Sequence, residues 1–442
     1  MREKSRLRFL IIAAASFFIL GATFVLSLPL ENPTKFLLLT LIALFLGSLF
    51  DYQKGFLLFL FLRPIIDLAT TKGIFYLENF NINAIYGFFM IVFSLIIIFD
   101  HRREMKKTPY LTVFWAAFLL WSIISLFYSF NILESFKELS RYLSIFFNFL
   151  AASLLFKDND DLSRLIKTII WSAFIPSIMA TVQYFDESGL IEDQINRVYG
   201  SMVHPNMLAF FLTLPIILAI FIFLNIRKQR VEAYVYLLLA AFYSSILFLT
   251  YTRGAYVVLL LMLFLVGLFH FRRFLLFSLT ALLLIYAFYG PVQDRFNTIL
   301  NYGQSDSISW RLDLYRNSIS YAAKKPLIGY GVGLAEKVID RYRDLRLGSS
   351  KPHNDFILLA LDGGLIGLGL YLLLIFVLAS SLWRAYRHEK LPRLRMLNLF
   401  LLIFLFSTKL MSAGDNVISD TALEWEFWAL IGALPHLERL KS

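Results

Sequence analysis

The sequence predicts an all-α polytopic membrane protein with about 12–14 transmembrane helices and a helical cap on one side. The first observation is compositional: of 442 residues, 59% are hydrophobic and only 17% are charged, which is more apolar surface than a soluble domain can bury. The second is the recurrence of unbroken apolar runs of membrane-spanning length, such as 7–28, 82–99 and 233–249. A lipid bilayer is therefore the solvent that this chain requires.

Polar interruptions divide the apolar sequence into about fourteen candidate spans. These spans lie at 8–28, 35–51, 53–70, 82–99, 110–129, 138–156, 162–185, 204–224, 233–250, 254–270, 272–289, 355–383, 393–412 and 421–437. The pair 35–51 and 53–70, or the last two segments, are short enough to be re-entrant or half-spans, so about twelve crossings is the alternative. An even number is expected in both cases. The first run is interpreted as a retained span because no small-residue cleavage site precedes Pro29.

The loops between the spans divide by charge into a basic set and a set with few Lys or Arg. The basic segments carry Arg102, Arg103, Lys106 and Lys107; Arg227, Lys228 and Arg230; Arg272 and Arg273; and Arg384, Arg387, Lys390, Arg393 and Arg395. Short loops and ends on this side hold about 23 Lys or Arg against about 5 on the other side, so both termini are expected in the cytoplasm. The net charge of +11 thus follows membrane topology, and nucleic acid is not expected as a partner.

The longest polar segment, 290–354, then lies on the exported side. Two amphipathic helices are expected within it, over Ser309–Ala323 and Leu334–Leu345. The run 325–333, Lys-Pro-Leu-Ile-Gly-Tyr-Gly-Val-Gly, separates them because Gly and Pro interrupt helices. The chain accordingly divides into N-terminal transmembrane helices at 1–289, a large outer loop with helices at 290–354, and C-terminal transmembrane helices at 355–442.

Charged residues inside the spans also favour the outer side. Arg63 and Asp67 lie one helical turn apart and are expected to pair. Lys409 is expected to face Asp415 at the outer end of its span, and Arg141 lies near the outer end of another. Together they indicate an outward-opening polar cavity, and the alternative is that they are structural pairs that hold helices together.

Arginines on the outer side are the candidates for binding a phosphate group, because the guanidinium fork is permanently charged and donates two parallel hydrogen bonds to an oxyanion. Arg253 occupies a very tight turn, Tyr251 to Gly254, between two spans. Arg311 and Arg316 lie on the first cap helix, where their spacing puts them on different faces, so only one is expected to point inward. The alternative for Arg253 is a snorkelling anchor at the membrane interface.

His353 is the candidate general base. It stands just after a proline at the start of a span, where the positive end of a helix favours a neutral ring that can accept a proton. Asn354 is expected to cap that helix and orient the histidine. His204, also beside a proline at a span entrance, is more simply explained as structural. The chain has no cysteine, and no outward Asp/Glu cluster has metal-ligand spacing, so no metal or cofactor is expected.

Two of these segments resemble motifs of a known family, the O-antigen ligases and O-antigen polymerases of bacterial envelopes. His353-Asn354, nine residues, Gly364, two residues and Gly367 is similar to the ligase signature of His, then Asn, Ser or Gln, nine positions, Gly, two positions, and Gly, Thr or Val. Thr252-Arg253-Gly254 resembles the family's Ser-Arg-Gly turn, with Thr in place of Ser.

Two further elements extend the resemblance to roughly residues 190–380. The segment from Val198 through Pro205-Asn206, with Ala209, resembles the family's Gly to Pro-Asn-x-x-Ala element. The Gly-Tyr-Gly-Val-Gly run at 329–333 is also similar to the family's sequences. Each motif alone is weak, and the four in the family's order are more specific.

The resemblance implies a GT-C-like enzyme of the bacterial inner membrane with its active site in the periplasm. Its donor would be a polysaccharide on undecaprenyl diphosphate, and its acceptor a hydroxyl of the lipid A core. His353 would deprotonate the acceptor, Arg253 and Arg311 would hold the departing diphosphate, and the anomeric configuration would invert. Supporting roles would fall to Asn354, Arg316, Arg197, His204 and Asn206.

Other functions stay open from the sequence. An O-antigen polymerase would use a second lipid-linked repeat unit as the acceptor, and a protein-glycosylating enzyme of the same superfamily would use a protein. A flippase or other transporter for lipid-linked oligosaccharides is the alternative from another class. A transporter predicts matching internal repeats with broken helices at the membrane midplane, and no such repeats are visible in the sequence.

Overall fold

The computed structural model describes residues 31–71, 76–77, 80–192, 195–225, 231–269, 307–342 and 351–434, together with scattered positions within 16–27 and 275–283. In these ranges the chain forms fifteen α-helices and two short antiparallel strand pairs. The helices are α1 (Asn32–Ser48), α2 (Tyr52–Thr71), α3 (Ile82–Asp100), α4 (Leu111–Ser125), α5 (Ile132–Leu155), α6 (Asn159–Ser172), α7 (Phe174–Phe185), α8 (Pro205–Asn225), α9 (Val231–Leu249), α10 (Arg253–Phe269), α11 (Ser307–Ala322), α12 (Ala335–Tyr342), α13 (Asp355–His388), α14 (Pro392–Ser412) and α15 (Thr421–Gly432). The strands are β1 (Tyr76–Leu77) with β2 (Phe80–Asn81), and β3 (Leu190–Glu192) with β4 (Ile195–Arg197).

The predicted all-α polytopic membrane class is confirmed. Among the described residues, seven helices are long and apolar enough to cross a membrane, namely α3, α4 with the 3-10 turn Leu126–Tyr128, α6 joined to α7, α8, α9, α13 and α14. The apolar helices α1 and α10 are somewhat shorter. Helices α2 and α5 are not among these seven because each carries several charged side chains within its apolar sequence. The candidate spans 8–28 and 272–289 fall mainly outside the described residues.

The last candidate span contains the short helix α15, which is buried along its length from Ala422 to Gly432. Its 12 residues extend about 18 Å at 1.5 Å per residue, less than the roughly 30 Å of a bilayer core. It packs mainly against α5, where the Asn148 side-chain amide donates to the Trp425 carbonyl at 2.7 Å. The Trp425 indole in turn donates to the Ser144 hydroxyl at 3.0 Å. Such bonds satisfy polar groups that water cannot reach.

Two ion pairs were predicted within the bundle, and the structure contains one of them. Arg63 Nη1 lies 3.0 Å from Asp67 Oδ1, and both side chains are buried, so the predicted pair is confirmed. The predicted contact between Lys409 and Asp415 is wrong, because Lys409 Nζ donates to the Tyr371 hydroxyl at 2.8 Å. Asp415 lies beyond the end of α14, where the chain has turned away from the helix face that carries Lys409.

Helix α13 is broken at Gly364, whose φ of 65° is left-handed. The segment that follows α11 fills the break: the amides of Leu365 and Ile366 donate to the carbonyls of Pro326 (2.8 Å) and Leu327 (3.2 Å). Backbone groups released by a break inside a membrane helix need partners of this kind. Gly364 is required here because a Cβ atom would overlap the Leu327 carbonyl.

The cap helices α11 and α12 confirm the two helices predicted between 290 and 354, and residues 343–350 lie outside the described ranges. The glycine run between them docks on α13, since the Gly331 amide donates to the Asp362 carbonyl at 2.9 Å. The Asp362 carboxylate accepts from the amides of Gly333, Leu334 and Ala335 at 2.7–2.9 Å. This carboxylate therefore caps the start of α12 and ties the cap to the membrane helix.

The contacts between helix ends distinguish the two ends of the bundle. One end holds the basic residues on both sides of the junction of α13 and α14, where Arg384 of α13 donates to the Tyr110 hydroxyl at 3.5 Å and Arg393 of α14 donates to Ser163 Oγ at 3.3 Å. The other end holds the starts of α8, α10 and α13 and the end of α14. This second end also carries the cap.

A glycine-to-alanine pair tests the role of the helix break. We expect Gly364→Ala to lower the apparent melting temperature of the purified protein by several degrees, because alanine is strained at positive φ and would clash with Leu327. Gly369→Ala is the control: among the described residues, no atom outside its own stretch of helix lies within 4 Å of its Cβ position, and alanine favours a helix by up to about 1 kcal/mol over glycine. Equal melting temperatures for both variants would contradict the assignment.

Candidate active site

Four loops converge at the end of the bundle that carries the cap. They precede α8, α10 and α13 and follow α14. The Val198 amide donates to the Leu249 carbonyl at 3.3 Å, which joins the first two loops. The His353 amide donates to Asn416 Oδ1 at 2.9 Å, which joins the last two. Asn206 Nδ2 completes the set by donating to Asp415 Oδ2 at 2.7 Å.

His353 and Asp415 form the central pair of this site. The ring atom Nδ1 of His353 lies 3.0 Å from Asp415 Oδ1. An ionised carboxylate can only accept, so Nδ1 carries the hydrogen and the lone pair of the neutral ring is on Nε2. The carboxylate also stabilises the positive charge that the ring gains if Nε2 takes up a proton.

Asp415 is ionised at neutral pH. Burial favours its neutral form, but the hydrogen bond from His353, the charge of Arg311 and the Asn416 amide lower the pKa of Asp415. The guanidinium of Arg311 contributes from 4.0 Å, measured from Nη2 to Oδ2. The carboxylate thus has donors on both oxygens.

Arg197 is the centre of a buried hydrogen-bond network next to Asp415. Its buried guanidinium donates to the Thr250 carbonyl at 2.8 Å and to Asn206 Oδ1 at 2.7 Å, and it pairs with Glu192. Thr252 Oγ1 also donates to Asn206 Oδ1, at 3.2 Å. Arg197 is thus engaged by protein groups, which fits the supporting role expected of it.

Arg253 and Arg311 each lie next to a residue of this network. Arg253 is the first residue of α10, half-buried, directly after Thr252. Arg311 Nη1 donates to the Gly414 carbonyl at 2.9 Å, next to Asp415. Arg316 points elsewhere: it lies 3.6 Å from Asp313, and its side chain is 81% exposed. Only Arg311 of this pair faces the site.

His204 and Asn354 have structural contacts, one of which joins Asn354 Nδ2 to the Ala413 carbonyl at 2.9 Å. His204 Nδ1 accepts from the Asn206 amide at 3.1 Å at the start of α8. Burial lowers the pKa of His204, and nearby Arg197 lowers it further, so the ring is neutral at physiological pH. Asn354 is the N-cap of α13, where its Oδ1 accepts from the amides of Phe356 and Ile357.

Sequence reasoning missed Asp415 and Asn416 as partners of His353, because Asp415 had been assigned to Lys409. One signal was available: a polar Gly-Asp-Asn turn at 414–416 interrupts two apolar segments on the same side as His353. Within the ranges that the structure describes, no three His, Cys, Asp or Glu side chains form a metal-binding group.

A family model described as O-antigen ligase matches residues 238–372. The match includes Arg253, both cap helices and the segment from His353 to Gly367, and it ends before Asp415. No curated protein matches the chain. Residues 238–372 are therefore similar to the O-antigen ligase family, which is consistent with a member of the O-antigen ligase and polymerase superfamily.

Proposed function

We propose that this protein is an O-antigen ligase, which transfers polysaccharide from undecaprenyl diphosphate to a hydroxyl of the lipid A core. The observation that carries the proposal is the His353–Asp415 pair with Arg311 beside it, at the end of the bundle that also holds Arg253. The family match supports the coarser statement that the enzyme acts on lipid-linked glycans. The basic segments that the structure describes, at 102–107 and 384–395, lie at the opposite end. Together with the charge pattern of the sequence, this supports a periplasmic site in the bacterial inner membrane with both termini in the cytoplasm.

His353 acts as the general base in the proposed reaction. Its Nε2 takes the proton of the acceptor hydroxyl while the acceptor oxygen bonds to the anomeric carbon of the donor sugar. Asp415 stabilises the resulting imidazolium from Nδ1, 3.0 Å away.

The arginines stabilise the leaving group. As the bond between the anomeric carbon and the diphosphate oxygen breaks, negative charge moves onto the diphosphate, where Arg253 and Arg311 donate hydrogen bonds. The Nε atom of Arg311 is buried and has no hydrogen-bond partner among the described residues. Two guanidinium groups supply the charge that a metal ion would otherwise provide. Attack from the side opposite the leaving group inverts the anomeric configuration.

The acceptor decides between the ligase and the alternatives. Purified protein is incubated with lipid-linked glycan and either lipid A core or no second acceptor, and the products are separated on gels. We expect glycan-conjugated core. A lengthened ladder of lipid-linked glycan without core addition would identify a polymerase instead, and passage of glycan lipid across liposomes without any product would identify a transporter.

His353→Ala tests the proposed general base, and Arg253→Ala tests the proposed stabilisation of the leaving diphosphate. We expect both variants to be expressed at normal levels and to lose glycan transfer, because one removes the base and the other a diphosphate donor. His388→Ala is the matched control, since His388 is exposed at the far end of α13. Normal transfer by the His353→Ala variant would remove the general-base assignment.

Arg311 and Arg316 form a matched pair on one cap helix. We expect Arg311→Ala to lower kcat/KM for the donor by about 10²–10³-fold, the usual effect of losing one oxyanion donor. Arg316→Ala should change kcat/KM less than about twofold, because an exposed ion pair such as that with Asp313 contributes little. Similar losses in the two variants would argue against a specific role for Arg311.

A further inference from the structure

His353 has an unusual backbone conformation. Its φ is 46°, in the left-handed region that residues other than glycine rarely adopt. A conformation of this kind persists only where neighbouring contacts hold it, and such residues concentrate at functional sites. The contacts of the His353 backbone therefore show which residues keep His353 in this conformation.

Two side chains bind the peptide groups of His353. Asn416 Oδ1 accepts from the His353 amide at 2.9 Å, and the Tyr315 hydroxyl donates to the His353 carbonyl at 2.8 Å. Burial raises the pKa of Tyr315, so its hydroxyl is a donor at neutral pH. Asn416 comes from the loop after α14, whereas Tyr315 comes from the cap helix α11.

We propose that Tyr315 and Asn416 are positioning residues that hold His353 in its left-handed conformation and thereby keep its ring against Asp415. This inference rests on the proposed function, since it concerns the general base of that reaction. Relaxation of His353 to an ordinary φ rotates the direction in which its Cβ leaves the backbone. The ring would then leave the carboxylate that orients it.

The position of His353 depends on how the cap helix α11 packs against the membrane helices. Arg311 and Tyr315 lie one helical turn apart, on the same face of α11. Arg311 reaches the Gly414 carbonyl at 2.9 Å, while Tyr315 reaches His353 at 2.8 Å. One face of one helix thus holds both the leaving-group arginine and the base. Docking of the cap assembles the two halves of the site together.

Tyr330 provides a matched control for Tyr315. Its hydroxyl also donates to a backbone carbonyl, that of Tyr321, at 3.0 Å. Both tyrosines belong to the cap region, and removing either hydroxyl deletes one bond of the same type. Only the Tyr315 bond ends on His353, so a general loosening of the cap would affect both variants alike.

The experiment compares Tyr315→Phe with Tyr330→Phe in the full-length protein in lipid nanodiscs. We expect Tyr315→Phe to lower kcat at least about tenfold with a donor KM within about twofold of wild type, and Tyr330→Phe to keep wild-type values. In the Asp415→Asn background, Tyr315→Phe should lower the remaining rate less than about twofold, because the two residues act on one ring. Wild-type kcat for Tyr315→Phe, or full additivity with Asp415→Asn, would overturn the proposal.

Hydrogen exchange gives a readout that needs no substrate. The peptide that contains the His353 amide should exchange at least about tenfold faster in Tyr315→Phe than in wild type, and at the wild-type rate in Tyr330→Phe. Unchanged exchange in Tyr315→Phe would contradict the positioning role. If the wild-type protein transfers glycan to no acceptor, the proposed function fails, and the exchange rates still decide whether Tyr315 holds His353.

Discussion

The candidate site is organised around the carboxylate of Asp415. A buried carboxylate is costly to hold in an apolar interior unless hydrogen-bond donors surround it. His353 and Asn206 supply such donors, and Arg311 adds its charge from 4.0 Å. These residues come from three distant parts of the chain. Forming the contacts of one carboxylate therefore fixes two membrane segments and the cap helix relative to each other.

The break in α13 follows the same physical constraint at the level of the backbone. Amides and carbonyls released at Gly364 cannot turn to water within the bundle, so the segment that begins at Pro326 supplies their partners. The glycines of the motif that follows His353 consequently have a structural explanation: Gly364 permits the turn, and the Gly367 backbone packs closely on the Trp121 ring. The motif thus contains both a candidate site residue, His353, and the glycine turn at which the cap segment binds α13.

The matched family region does not contain the whole site. Residues 238–372 include His353, Arg253 and Arg311, whereas Asp415 and the supporting pair Arg197 and Asn206 lie outside. The flanking segments thus contribute the carboxylate that contacts His353 and the hydrogen-bonded pair Arg197 and Asn206. A domain boundary drawn from the family match alone would separate the histidine from its carboxylate.

Residue order alone was enough to predict the membrane class, the Arg63–Asp67 pair and the two cap helices, because each depends on local composition or on spacing within one helix. It also identified His353, Arg253 and Arg311 as candidates, since their chemistry is evident from residue type and from the side of the membrane that the charge pattern predicts. Only the tertiary structure decided which carboxylate meets His353. Asp415 is 62 residues away, and the direction of the chain after α14 turns it toward the histidine and leaves Lys409 facing Tyr371. Contacts of that kind depend on how separate helices pack, which spacing along one helix does not specify.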